Sequence, residues 1–242
     1  MVGYPSLERV RGLLYAIVDA GADLVELGVP FSDPLADGAT LQRIGHRALQ
    51  NGTTLRSALE LVASVRAHVP VPLVLMSYYN PVARMGDRQF ALEAATAGVD
   101  GLIVPDLPVE ESGLLRGACL DAGIDLVGMV APTTPDGRVE AIARRASGFV
   151  YCVSLKGITG ARSQLPPEVD RLVDRVRRRT PLPAVVGFGI STPEQVEAVS
   201  AFADGVVVAS ALMDRIEADS LRPAETAARF VRQLKAACRG PR

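Results

Sequence analysis

Short runs of β-branched and aliphatic residues alternate along this chain with amphipathic stretches, and that alternation limits the fold more than any other feature. The runs fall at residues 23–27, 72–79, 101–105, 125–131, 148–154, 184–189 and 205–210. Most are unbroken blocks such as LVLMSYY, GLIVP and GVVVAS, the pattern of strands buried on both faces of a parallel sheet covered by helices. Between them lie helical patterns at 7–20, 54–68, 87–97, 110–122, 136–146, 167–179, 193–203 and 224–237. Thr192-Pro193 places a capping side chain ahead of a proline suited to the first helical position. Gly21, Gly98 and Gly123 stand where helices end, and each opens a Gly-X-Asp corner into the next strand.

Strands alternating with helices give an α/β fold of right-handed βα units, and 242 residues suit one (β/α)8 TIM barrel over 1–242 as a single domain. The count is uneven, however. Eight helical patterns meet only seven strands, because the chain opens on a helix after residues 1–5. The expectation is a TIM barrel lacking its first strand.

Composition narrows the function. With 26 Lys+Arg against 27 Asp+Glu the formal charge is −1, which provides no basic field for nucleic acid or anionic lipid. Arg171 to Arg179 is the densest basic cluster and reads as the solvated face of one helix. The longest apolar runs are too short for a transmembrane helix, and charges through the first twenty residues argue against a signal peptide. Three cysteines, Cys119, Cys152 and Cys238, without CxxC spacing suit a reducing cytoplasm. His46 and His68, the only histidines, read as helix-surface or cap residues, so neither a histidine-rich metal site nor a Ser-His-Asp triad is expected.

Ligands of such folds sit at the carboxyl ends of the strands. The first strand ends in Glu26, a carboxylate between Val25 and Leu27 that costs free energy unless paired, hydrogen-bonded or protonated. Asp37 follows eleven residues later in a loop rich in proline and glycine. A dry Glu26 with a raised pKa beside an ionised Asp37 could divide acid and base roles. Spacing alone leaves Asp33 equally eligible, and leaves open that all three merely cap the loop. At the other end of the chain, Gly187-Phe188-Gly189 and Val208-Ala209-Ser210 each open a helix, while Lys156 to Arg162 forms a glycine-rich loop. Loops of this kind after the last strands form a phosphate cradle. GFGIST lacks the third glycine of a dinucleotide fingerprint and lies far from the first strand.

At these residues the chain resembles the tryptophan synthase alpha family. Its signature ELGVPFSDPLADG stands at 26–38, followed in family order by YYNP at 78–81, GLIVPDLPVEES at 101–112, APTTP at 131–135, GITGAR at 157–162 and GFGIS at 187–191. The resemblance implies a lyase of tryptophan biosynthesis that cleaves indole-3-glycerol phosphate to indole and glyceraldehyde 3-phosphate. It makes Glu26 the general acid–base at indole C3 and Asp37 the acceptor for the indole N–H. Tyr78 and Tyr151 would line the substrate pocket, and Thr159 would meet the loop aspartate when the glycine loop closes. Gly160, Gly189, Ala209 and Ser210 would hold the phosphate. Asp33, Asn80, Asp106 and Pro108 would face a beta chain in an α2β2 heterotetramer. Pyridoxal phosphate is expected only in that partner, with no cofactor and no metal in this chain.

The sequence departs from the family pattern at four points. The front strand is missing, Ala209 replaces a usual glycine, Ala39 replaces a frequent proline, and Leu155-Lys156 precedes the glycine loop. A misassigned start codon would explain the first. The alternatives to the leading reading are a free-standing indole-3-glycerol-phosphate lyase and a non-catalytic barrel that binds and activates a beta chain.

Overall fold

The computed structural model describes residues 1–154, 167–187 and 189–238. The order of elements is α1 (Leu7–Asp19), β1 (Val25–Gly28), α2 (Ala39–Gln50), α3 (Leu55–Val65), β2 (Leu73–Met76), α4 (Tyr79–Met85), α5 (Asp87–Ala97), β3 (Gly101–Ile103) and α6 (Gly113–Ala122). It continues with β4 (Asp125–Leu126), β5 (Gly128–Val130), α7 (Asp136–Arg145), β6 (Val150–Val153), α8 (Pro167–Arg177), β7 (Ala184–Gly187), α9 (Pro193–Ser200), β8 (Gly205–Val206), α10 (Ser210–Ala218) and α11 (Pro223–Ala237).

All pairings are parallel, in the orders β1-β2-β3-β4 and β5-β6-β7-β8. β4 and β5 are two halves of one segment broken at Val127, the first half pairing with β3 and the second with β6. The seven strand regions expected from the sequence are therefore all present, in chain order. Two helices, α2 and α4, had no counterpart in the sequence reading, and α10 was expected only as the helix opened by Val208-Ala209-Ser210. Their N-caps, Gly38, Tyr78 and Ala209, make no side-chain capping bond, so the usual start signal is absent from each.

Two layers of apolar side chains hold the barrel. Between strands and helices, Leu73, Leu75, Leu102, Phe90 and Leu115 are buried on one side, and Val150, Cys152, Leu172 and Val186 on the other. Inside the barrel, Val74, Ile103, Val127, Phe149 and Tyr151 form the central cluster. The loop residues that the chain adds at the carboxyl ends of β1, β2, β3, β7 and β8 all gather at one rim, as parallel strands require.

Among the described pairings, β1 bonds only to β2 and β8 only to β7. The helix layer continues across this gap, because α1 packs on α11 and Lys235 of α11 salt-bridges Asp23 just before β1 at 2.6 Å. The missing strand is thus a gap in the inner layer alone.

Candidate active site

Glu26 sits in β1, where the alternation of the strand turns Val25 and Leu27 into the core and Glu26 the other way. Its side chain lines a cavity of about 480 Å³, the size of a small-molecule site, which Asp37, Tyr78, Phe149 and Ala209 also line. Burial pushes the Glu26 carboxyl up to about 7; the Met1 ammonium opposes this and the Asp37 charge adds to it. A carboxyl so placed is part acid and part base at neutral pH, the condition for general acid–base work.

Asp37 lies in the loop from β1 to α2. Burial raises it to about 6, again moderated by the Met1 ammonium. The expectation that it would remain an ordinary ionised carboxylate understated how far the loop folds inward, although at pH 7 it is still mainly charged. The loop is held from outside. The Ala36 N–H donates to the Tyr78 hydroxyl at 2.9 Å, and the Phe31 ring stacks on Tyr78 with centroids 5.2 Å apart. Burial, with Asp37 and Asp106 nearby, lifts the Tyr78 phenol to about 12, so it stays protonated. The resemblance puts Tyr78 on the pocket wall, but its role in holding this loop was not evident from the sequence.

Asp33 is separated from these groups. It is exposed, and the Ser32 hydroxyl donates to it at 2.5 Å. Asn80, Asp106 and Pro108 are exposed on the same rim, where Asp106 accepts the Tyr79 N–H at 2.9 Å. Leu35, between Asp33 and Asp37, is 89% exposed, an unusual position for a large aliphatic side chain on a loop this close to a cavity.

Tyr151 is buried in the barrel centre against Phe149, and burial together with the Glu26 charge raises its phenol well above the usual value. Its ladder partner is Val185, and its hydroxyl reaches along β7 to Gly187, where a Cβ would stand 2.0 Å from the hydroxyl oxygen. Gly189 follows at φ 78°, a left-handed conformation that suits glycine. The two helices after these strands differ at their starts. Thr192 caps α9 by accepting the Gln195 N–H, whereas Ala209 gives α10 no side-chain cap and leaves the N–H groups around Ser210 open to an anion. Thr159 and Gly160, with the rest of the Lys156–Arg162 loop and Phe188, lie outside the described residues. Among the described residues no three His, Cys, Asp or Glu side chains gather as metal ligands.

A parallel α/β barrel with two burial-shifted carboxyls on one cavity wall and an uncapped helix start beside it has the layout of the barrel enzymes, whose sites sit at the carboxyl ends of the strands. The chain belongs to the tryptophan synthase alpha chain family, whose model matches residues 1–239, and with it goes a lyase role in tryptophan synthesis. It is 52% identical over 239 residues to the tryptophan synthase alpha chain of Roseiflexus castenholzii, covering 97% of this chain and 91% of that one. The Chloroflexus aggregans alpha chain is 49% identical, covering 98% and 89%. Among solved structures, the Pyrococcus furiosus tryptophan synthase α2β2 complex matches with a TM-score of 0.92 at 42% identity over 97% of this chain and 95% of that one. The Legionella pneumophila alpha subunit matches with a TM-score of 0.90 at 34% identity over 98% and 89%.

Proposed function

We propose that this chain cleaves indole-3-glycerol phosphate to indole and glyceraldehyde 3-phosphate, as the alpha half of a complex with a beta chain. The observation that carries the reading is Glu26, a glutamic acid held near pKa 7 on the wall of an apolar cavity with Asp37 beside it. Protonated Glu26 delivers its proton to indole C3. The ring nitrogen becomes cationic, and Asp37, ionised at neutral pH, accepts its N–H and stabilises that charge. The Glu26 carboxylate then takes the proton from the hydroxyl on the carbon attached to C3. The carbon–carbon bond breaks, its electrons return to the ring, and the hydroxyl carbon becomes the aldehyde. Glu26 ends protonated again, so the cycle balances without any group beyond these two carboxyls.

The uncapped start of α10, with Ser210 and the Ala209 backbone, suits the phosphate, and Gly189 allows a close backbone approach from the neighbouring loop. Gripping the unreactive phosphate directs binding energy to orientation at C3. Exposed Asp33, Leu35, Asn80, Asp106 and Pro108 form the face we assign to the beta chain, which would hold the pyridoxal phosphate and receive the indole. The free thiols of Cys119, Cys152 and Cys238 are consistent with a reducing cytoplasm.

The test is indole release from indole-3-glycerol phosphate by the 242-residue chain with a beta chain in serine-free buffer. Release should fall roughly 10²- to 10⁴-fold in Glu26→Gln, the contribution of a positioned general acid. Undiminished turnover in that variant would end the assignment. The gap beside β1 favours one second reading, a barrel that docks on and stimulates a beta chain without cleaving substrate. A folded wild-type chain that raises the beta reaction but releases no indole would establish it.

A further inference from the structure

Two helices start side by side at the carboxyl ends of β7 and β8, and their starts are built in opposite ways. At α9 the donors are taken up from within. Pro193 has no N–H, and the Gln195 N–H donates to the Thr192 hydroxyl at 3.3 Å. The Glu194 carboxyl accepts from the Thr192 hydroxyl and from its own N–H, bonds that hold it below the usual carboxylate range. The Ser191 N–H and hydroxyl both donate to the Gln195 carboxamide oxygen, at 2.8 and 3.2 Å. At α10, by contrast, Ala209 provides no side-chain cap. An anion arriving at this rim meets the Glu194 charge at one helix start and open N–H groups at the other.

The Gln195 bond is not the common one. Thr192 and Gln195 have the spacing of a capping box, in which the glutamine side chain would return to the backbone N–H of Thr192 itself. Here it reaches one residue further, out of the helix, and takes hold of the chain two residues after Gly189. Ile190, between them, is buried in the core beneath, so the backbone that follows Gly189 is pinned on both sides. Gly189 itself, at φ 78°, has the backbone freedom of a glycine and keeps one direction only while its neighbours are held. We propose, on the phosphate-ester reading of this site, that Gln195 is a positioning residue of the phosphate cradle. By holding Ser191 it fixes the direction of the Gly189 backbone, so the phosphate settles between Gly189 and the start of α10 without having to order the chain there. Gln195 acts through Ser191 and does not touch the phosphate. Donors ordered in advance bind an anion more tightly than the same donors on a loose chain.

The experiment uses the whole chain, with inorganic phosphate as the probe. Gln195→Met keeps the length and stem of the side chain and removes the acceptor, while Thr192→Val removes the cap of α9 and leaves the carboxamide in place. In isothermal titration the phosphate Kd should rise about tenfold in Gln195→Met, the scale of one hydrogen bond, and stay within about twofold in Thr192→Val, although that variant has the lower Tm. Titration needs no turnover, so it reads the cradle whether or not the chain releases indole. Where indole is released, the KM for indole-3-glycerol phosphate should rise with the phosphate Kd, and binding of indole alone should not change. Hydrogen exchange on the unmodified chain holds even if a variant fails to fold: the Ser191 amide should be slow with or without phosphate, and the Gly189 amide should slow when phosphate is added. Equal phosphate affinity of the unmodified chain and Gln195→Met would overturn the proposal and leave the phosphate-ester reading intact. So would a loss of affinity that follows Tm through both variants, which would make Gln195 a helix cap and nothing more, or a Ser191 amide that exchanges freely. An unmodified chain that binds no phosphate would end both.

Discussion

Between β6 and β7 the barrel interior is tightly filled where Tyr151 meets Gly187, and between β8 and β1 it has room for a ligand. On the filled side the Tyr151 ring lies over Gly187 so closely that a single added methyl would overlap its hydroxyl. On the open side a cavity of about 480 Å³ separates two strands that should be neighbours. Barrel interiors are packed cores rather than pores, so a site needs space that packing would otherwise remove. This chain obtains it in two ways at once. At the rim, the loop after β1 is pulled over the opening by Tyr78 and Phe31; below it, the cavity continues into the unpaired seam. Both carboxyls stand on the open side, and the low-polarity space around them is what raises their pKa values.

The two sides should respond differently to the same deletion. Leu172 in α8 is fully buried against β6 and β7 on the filled side, and Leu172→Ala should cost about 2–5 kcal/mol. Leu14, also buried but facing the cavity, has fewer atoms to lose contact with, so Leu14→Ala should cost at least about 1 kcal/mol less. Urea unfolding of the two variants measures the difference. Equal losses would show that the seam is as well packed as the rest of the barrel.

Open space also makes stability depend on pH. Glu26 is held near pKa 7 in the folded chain against an ordinary value of 4.5, so the folded state keeps a proton that the unfolded state has released. Stability from this group is fully present below pH 4.5 and falls as pH rises toward and through 7. The loss is on the order of 3 kcal/mol for a shift of this size. Glu26→Gln should therefore unfold at higher urea than the wild type at pH 8, while at pH 4 the two should be close. Asp37, raised in the same direction, keeps a smaller slope at lower pH in both proteins. An unchanged pH dependence in Glu26→Gln would mean that its carboxyl is solvated in the folded state.

Much of this was legible from the chain alone, and the limits have physical causes. Strands buried on both faces leave unbroken apolar runs, so all seven strand regions could be placed, although β8 spans only Gly205–Val206 where a run of six residues suggested more. The missing strand followed from counting, because eight helical patterns met only seven strand runs and a (β/α)8 barrel carries one strand for each helix. What counting could not reveal was that α1 and α11 would close the outer layer over the gap. Glu26 stood out as a charge inside an apolar run, whereas spacing alone left Asp33 and Asp37 equivalent; only the resemblance separated them, and in the structure it is where the loop folds that does so. That depends on the Tyr78 hydroxyl reaching the Ala36 N–H, a contact across 42 positions of sequence that no local pattern encodes.

The smallest of the expected effects is the one that tests the filled side directly. Gly187 has no unusual backbone conformation to explain it; what it provides is space for Tyr151. Gly187→Ala places a methyl where the phenol now lies, and the ring has little freedom because Phe149 packs beside it. Overpacking of this kind costs about 1–3 kcal/mol. The cost should nearly vanish when Tyr151→Leu is combined with it, since the two residues share one volume and their effects cannot add. A double-mutant cycle by thermal unfolding gives the coupling. Additive losses would mean that Tyr151 moves aside freely, and the contrast between a filled and an open side of the barrel would lose its clearest support.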